Sequence, residues 1–148
     1  MNLLFLCTGN YYRSRFAEYY VRHKAYELGL DWSIDSRGLG LTSSNVGPLS
    51  QYTIAECDRL GIRFQPCRPP IALSTFDLKL ADRTIALKES EHRPLMQRLF
   101  PEWESRITYW HVHDIDCATP EEALPQLRRL LDDLIQQLSI ESSLGIKQ

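Results

Sequence analysis

The sequence predicts one α/β domain in three layers, built on a four-stranded parallel sheet. Three observations predict it. Short apolar runs alternate with segments of helical periodicity, the pattern of βαβ units. The 148 residues match one domain, 1–148, and suffice to bury a core. No internal repeat or low-complexity segment interrupts the pattern.

The first strand is predicted over 2–6, where Leu3, Leu4, Phe5 and Leu6 run together. A helix over 14–28 follows, with Phe16, Ala17, Tyr20, Val21 and Lys24 at helical spacing. Ser14 reads as its N-cap and Gly29 as its stop. The second strand is predicted over 32–35, then a loop over 36–45 containing Gly38 and Gly40. A helix over 50–60 ends at Gly61. Pro66, Pro69 and Pro70 make 64–73 a loop or a short edge element. The third strand is predicted over 83–87, with a short helix over 89–99 that takes Pro94 near its first turn. The fourth strand is predicted over 107–112. The last helix, 120–138, carries an apolar stripe from Leu124 to Leu138, and 139–148 read as a loose tail.

Composition narrows the function classes. A formal net charge of -2 gives no reason to expect a nucleic-acid partner. No apolar run approaches the roughly 20 residues of a membrane span, so no membrane partner is expected. The start lacks a basic segment and a long apolar stretch, which makes the cytoplasm the expected compartment. Cys7, Cys57, Cys67 and Cys117 form no CxxC pair, so neither a metal site nor a disulfide framework is expected, and no cofactor. Cys57, Cys67 and Cys117 read as packed small hydrophobes. A monomer is the expected state.

Cys7 differs because of its position. It ends the first strand, and the segment Cys7-Thr8-Gly9-Asn10-Tyr11-Tyr12-Arg13-Ser14 leads into the first helix. A helix N-terminus and a nearby guanidinium favour the nucleophilic thiolate. The loop can turn its backbone N–H groups, from Thr8 through Ser14, inward around an anion. Gly9 is expected to allow backbone geometry that a side chain would obstruct. Arg13 can grip two phosphate oxygens at once, which lysine could not. Ser14 can donate its hydroxyl to the thiolate, and Asn10 can brace the loop. A phosphate so held can be attacked in line by Cys7, giving a phosphocysteine, with no metal required. The leaving oxygen needs a proton from a carboxylic acid. Ligands of open α/β sheets bind at the carboxyl ends of strands, which puts Cys7 and Asp114 on one edge.

These residues resemble the low-molecular-weight protein tyrosine phosphatases, over most of the chain. Leu4 to Asn10, Arg13-Ser14 and Ala17-Glu18 match the opening motif of that family. Asp35-Ser36 and Gly38, Ala81-Asp82 through Ile85-Ala86-Leu87 with Glu89-Ser90, and Trp110, Val112 and Asp114 resemble its later segments. The resemblance implies a flavodoxin-like, phosphotyrosine phosphatase I-like fold and hydrolysis of phosphate monoesters, foremost protein phosphotyrosine. It implies Cys7 as nucleophile, Arg13 as phosphate clamp, Asp114 as general acid, and Asn10, Ser14 and Ser36 as a supporting network. The implied partner is a phosphorylated protein or a small aryl phosphate.

Four positions depart from the family pattern. Tyr12 stands where a second cysteine is usual, which removes a resolving thiol for oxidised Cys7. Tyr11 replaces isoleucine or threonine at a position that lines the family's pocket. Arg15 replaces proline, and Ile115 and Asp116 replace a proline and an aromatic residue. Asp116 is thus a rival acid, although register favours Asp114. Tyr11 and Tyr12 are expected at the pocket rim, Tyr19 and Tyr20 in packing, and His111 and His113 at the surface. Arg128-Arg129 and Asp132-Asp133 read as a solvated helix face. Two other readings share the loop. One is a phosphate-binding module with little turnover. The other is an arsenate reductase, which the absence of cysteine between Ile85 and Phe100 disfavours.

Overall fold

A computed structural model describes residues 1–145 of the chain. Its elements follow in the order β1 (Asn2–Cys7), α1 (Arg13–Glu27), β2 (Ser33–Gly38), α2 (Gln51–Leu60), α3 (Thr75–Leu80), β3 (Arg83–Ala86), α4 (Glu89–Leu99), β4 (Thr108–Tyr109) and α5 (Pro120–Ser143). The strands pair in the order β2-β1-β3-β4, all parallel. The expected α/β class and four-stranded parallel sheet are therefore present.

β1 is central, and its alternation divides the core. Leu3 and Phe5 pack with Phe16 and Val21 of α1 and Leu127, Leu131 and Leu138 of α5. Leu4 and Leu6 face the other way, onto Leu78 of α3 and Met96 of α4. A strand buried on both faces reads as a continuous apolar run. The central strand places Cys7 beside Gly38 of β2 at the carboxyl edge.

Several boundaries differ from the sequence expectation. Ser14 is not the N-cap of α1. The helix begins at Arg13 after Tyr12, and the Ser14 hydroxyl turns to Cys7 instead. Gly29 does adopt a left-handed φ of 69° just past the helix. β2 continues through Gly38, because Ser36 and Gly38 pair along β1 rather than entering a loop. α3 has no counterpart in the sequence expectation. It is one short helix nucleated by a capping box, in which Ser74 and Asp77 satisfy each other's backbone N–H. β4 is much shorter than 107–112. Past Tyr109 the chain stays hydrogen-bonded to the end of β3 without regular strand pairing, Trp110 N donating to Ala86 O at 2.9 Å and Val112 N to Leu87 O at 2.7 Å. α5 runs on through Ser143, so 139–143 are helix rather than tail, and Leu138 is one of its buried residues. The last three residues of that expected tail lie outside the described residues. No described helix is long and apolar enough to cross a membrane.

Candidate active site

The sequence from Cys7 to Arg13 wraps a shallow cavity of about 260 Å³ at the carboxyl edge of the sheet. Cys7, Thr8, Gly9 and Arg13 lie in its floor and wall, with Tyr11, Tyr12, Tyr52 and Asp114 around them. Arg13 is almost fully buried and sits at the first position of α1.

The thiol is held by a chain of hydrogen bonds. Cys7 Sγ lies 2.9 Å from Ser14 Oγ. Asn10 Nδ2 donates to Ser14 Oγ and to Ser36 Oγ, both at 2.9 Å. Asn10 Oδ1 accepts from Arg68 Nη1 at 3.1 Å and from the backbone N of Ile71 at 3.0 Å, which fixes the orientation of the amide. Ser36 Oγ donates to Glu18 Oε1 at 2.6 Å. Ser14 Oγ therefore already accepts from Asn10, and its own hydrogen is free to point at the sulfur. Arg68 Nη2 closes the network on Glu18 at 2.8 Å and on Ser36 Oγ at 3.0 Å. The expected cluster of Asn10, Ser14 and Ser36 is thus brought together, with Glu18 and Arg68 completing it.

The glycine expectation is corrected. Gly9 has no left-handed φ, and a Cβ there would meet only ordinary contacts, Asn45 Nδ2 at 3.5 Å being nearest. Asn10 takes the left-handed turn, with φ 48°, and its four side-chain hydrogen bonds hold it there. The glycine that the loop needs is Gly38. A Cβ there would stand 2.6 Å from Leu41 Cδ2, 2.8 Å from Thr8 O and 3.0 Å from Asn10 Cβ.

Arg13 reaches across to the other side of the cavity. Its Nη1 donates to Val112 O at 2.9 Å, and its Nη2 to Glu91 Oε2 at 3.0 Å. Asp114 Oδ2 lies 3.5 Å from the same Nη2. Asp114 lines the cavity, whereas Asp116 is exposed and outside its wall. Glu91 also accepts from the Thr8 hydroxyl and lies 3.1 Å from Nε2 of the fully buried His92. His92 Nδ1 accepts from Lys88 N at 3.0 Å, so the neutral ring carries its proton on Nε2. That N–H is off the line to Glu91, so the two attract without a straight hydrogen bond. His92, the Thr8 hydroxyl and Arg13 together hold the Glu91 carboxyl well below the usual carboxylate range. Burial keeps His92 neutral by pushing its pKa down.

The tyrosines divide differently from the rim expectation. Tyr11 is half-buried in the cavity wall, its hydroxyl tied to Val46 O. Tyr12 is buried, with its ring 6.0 Å from that of Tyr52 in an edge arrangement. Burial, then the charge of Asp114, pushes its hydroxyl pKa up to about 12. Tyr52 of α2 supplies the second aromatic wall, a residue the sequence reading did not single out. Tyr19 and Tyr20 pack as expected, Tyr20 Oη donating to Asp132 at 2.6 Å. That bond, and Arg128 Nη1 lying 3.7 Å from Glu56, engage part of the helix face read as solvated.

Arg15 is fully buried and, among the described residues, no carboxylate is one of its hydrogen-bond partners. It donates to Tyr19 Oη, to Asn10 O at 3.3 Å, to Pro48 O at 3.0 Å and to Arg68 O at 2.6 Å. One guanidinium thereby ties three loops behind the cavity. Of the other cysteines, Cys57 is buried, with its thiol pushed up to about 12 by burial. Cys67 is half-buried, and Cys117 is exposed rather than packed, 3.6 Å from Lys88 Nζ. His111 and His113 are exposed. Among the described residues, no group of three or more His, Cys, Asp or Glu could hold a metal ion.

Strand, thiol, anion loop and helix in this order define a cysteine-dependent phosphatase. The family model for low molecular weight phosphotyrosine protein phosphatase matches residues 2–144, and the chain belongs to that family. Solved structures share the fold. The low molecular weight protein tyrosine phosphatase of T. tengcongensis is 28% identical, with 93% of this chain and 99% of that chain covered and a TM-score of 0.78. YfkJ from Bacillus subtilis is 24% identical over 95% and 96%, with a TM-score of 0.83. The YwlE arginine phosphatase from Geobacillus stearothermophilus is 21% identical over 95% and 94%, with a TM-score of 0.76. A search of the curated proteins finds no match.

Glu18, Glu91, Arg68, Arg15 and Tyr52 all contribute to the site without having been assigned to it from sequence. Glu18 lay within the matched opening motif, and Arg15 was noted only as a departure. Arg68 sits among prolines, where only its loop character was legible. Glu91 is an acid in the first turn of a helix that starts at the site edge, a placement that favours negative charge.

Proposed function

We propose that the protein hydrolyses phosphate monoesters, protein phosphotyrosine foremost, through a phosphocysteine intermediate. The observation that carries this is the Cys7 thiol in the floor of a cavity ringed by the loop backbone and Arg13, with Asp114 in the same wall. Cys7 Sγ attacks phosphorus as the bond to the leaving phenolic oxygen breaks, and Asp114 gives that oxygen its proton. Water then attacks phosphorus and passes a proton to the Asp114 carboxylate. The S–P bond breaks, releasing phosphate and the Cys7 thiolate. Arg13 and the loop N–H groups stabilise the charge on the non-bridging oxygens in both steps. Ser14 donates to the sulfur as it leaves. Tyr11 and Tyr52 offer aromatic surface to an aryl group, which favours phosphotyrosine.

The test is vanadate-sensitive hydrolysis of an aryl phosphate. Cys7→Ser abolishes turnover. Asp114→Asn slows it about 10²- to 10⁴-fold, while Asp116→Asn leaves it near wild type. The opposite ranking moves the acid to Asp116. A panel of phosphotyrosine, phosphoarginine and phosphoserine peptides fixes the substrate class. Tight binding of these peptides by the wild type with negligible hydrolysis turns the reading into a phosphate-binding module.

A further inference from the structure

We infer that Glu91 is a positioning residue for phosphate capture, acting through Arg13 and Thr8 at the two ends of the loop. The inference rests on the reading of Arg13 as the phosphate clamp. Glu91 Oε2 accepts from Arg13 Nη2 at 3.0 Å and from the Thr8 hydroxyl, so one carboxylate joins the second and seventh residues of the loop. Val112 O holds the other terminal nitrogen at 2.9 Å. The guanidinium is thus fixed from two segments, while its Nε–H makes no hydrogen bond to the described residues. Nε and the remaining hydrogens of the terminal nitrogens stay available for phosphate oxygens.

Glu91 also competes with the acid for the clamp. Asp114 Oδ2 is 3.5 Å from the same Arg13 Nη2 that Glu91 holds at 3.0 Å. With Glu91 removed, Asp114 becomes the nearest carboxylate left to Arg13. A closer Arg13–Asp114 pair would engage the phosphate clamp and the proton donor with each other. The Glu91 side chain is itself held in place. It stands in the first turn of α4, next to His92, whose ring is locked by the Lys88 N–H.

Simple electrostatics and positioning predict opposite results, which makes the inference sharp. Removing an anion beside a dianion site by charge alone tightens phosphate binding. Removing the support of the clamp weakens it. The experiment compares wild type, Glu91→Gln and Glu91→Ala by inhibition with inorganic phosphate, by its stabilisation of the protein against heat, and by kcat/KM on an aryl phosphate. Positioning predicts that Glu91→Ala weakens phosphate binding and lowers kcat/KM by about 10- to 100-fold, from the loss of charge-assisted hydrogen bonds. Glu91→Gln, which keeps an accepting oxygen, loses less. In an Arg13→Lys background Glu91→Gln costs little further, because the group it positions is already gone.

Unchanged or tighter phosphate binding in Glu91→Gln, with wild-type kcat/KM, overturns the inference and leaves the phosphatase reading standing. A wild type that gains no heat stability from phosphate and hydrolyses no ester overturns both. The binding arm needs no turnover, so it still reads Glu91 if the protein binds without hydrolysing. Should Glu91→Ala fail to fold, Glu91→Gln carries the comparison alone.

Discussion

Two carboxylates hold the loop from opposite sides, and they differ in burial more than in chemistry. The Glu18 side chain is 3% exposed and bonds Ser36, Arg68 and Arg22, reaching Cys7 through Asn10 and Ser14. The Glu91 side chain is 30% exposed and bonds Arg13 and Thr8 directly in the cavity. A buried charge with several partners cannot lose one without leaving another uncompensated, so its removal is felt as stability. The Glu91 carboxylate reaches water, and its buried partner Arg13 keeps Val112 O and Asp114 if Glu91 is lost, so that side contributes less to stability. Its geometry can still decide what Arg13 offers a ligand. The Glu18 side is framework, whereas the Glu91 side bonds two residues that line the cavity.

The largest expected effect tests the framework. Glu18→Ala should cost about 3–5 kcal/mol, because Ser36 stays buried and the partly buried Arg68 loses its nearest carboxylate. Urea unfolding measures this against Glu91→Ala, for which a smaller cost is expected, because Arg13 keeps Val112 O and Asp114. Equal losses in the two variants would break the comparison.

Gly38→Ala comes next. The added methyl meets Thr8 O and Asn10 Cβ from behind the loop, beside Leu41. The expected cost is about 1–3 kcal/mol, with a fall in kcat because the backbone that must yield belongs to the Cys7–Arg13 loop. A variant that melts and turns over like wild type would show that the framework side has slack.

Acid stability sharpens the other side. Glu91 has a depressed pKa, so its contribution is present above its ordinary value of 4.5 and is lost as pH falls below it. His92 is held neutral by burial, so the unfolded chain takes up a proton below 6.5 that the folded chain resists. Both signs agree: the melting temperature should begin to fall below pH 6.5 and fall further below 4.5. His92→Gln should flatten the upper part of that decline and Glu91→Gln the lower part. A melting temperature constant from pH 7 to 5 would contradict the His92 part, and one constant from pH 4.5 to 2.5 the Glu91 part.

The smallest effect concerns the wall rather than the floor. Tyr52→Ala should raise KM for an aryl phosphate about two- to tenfold with little change in kcat, since it removes one aromatic contact. An unchanged KM would leave Tyr11 as the aryl wall.

Much of the site was legible because its signal is local. Cys7, Arg13 and Ser14 lie within eight residues that join a buried strand to a helix, and such a segment can close only one small loop. Asn10 was read as a brace of the loop and Ser36 came from the family pattern; Asn10 bonds Ser14 and Ser36, and Ser36 bonds Glu18. The role first given to Gly9 fell to Asn10 and Gly38, because the tight contact is between β2 and the loop. Spacing within the loop does not show that contact. Arg15 looked like a mere departure from proline. Its four acceptors come from residues spread from Asn10 to Arg68.

The sequence by itself determined the α/β class, the order of most elements and the place of the thiol loop between β1 and α1. Period, apolar runs and capping residues are properties of neighbours along the chain. The tertiary structure alone decided which carboxylate meets which cation. Glu91 is 78 positions from Arg13, Arg68 is 50 from Glu18, and Tyr52 is 40 from the Tyr12 ring it packs against. Such pairs exist only after the parallel sheet brings the carboxyl ends of its strands to one edge, where charge and burial select among the groups that arrive.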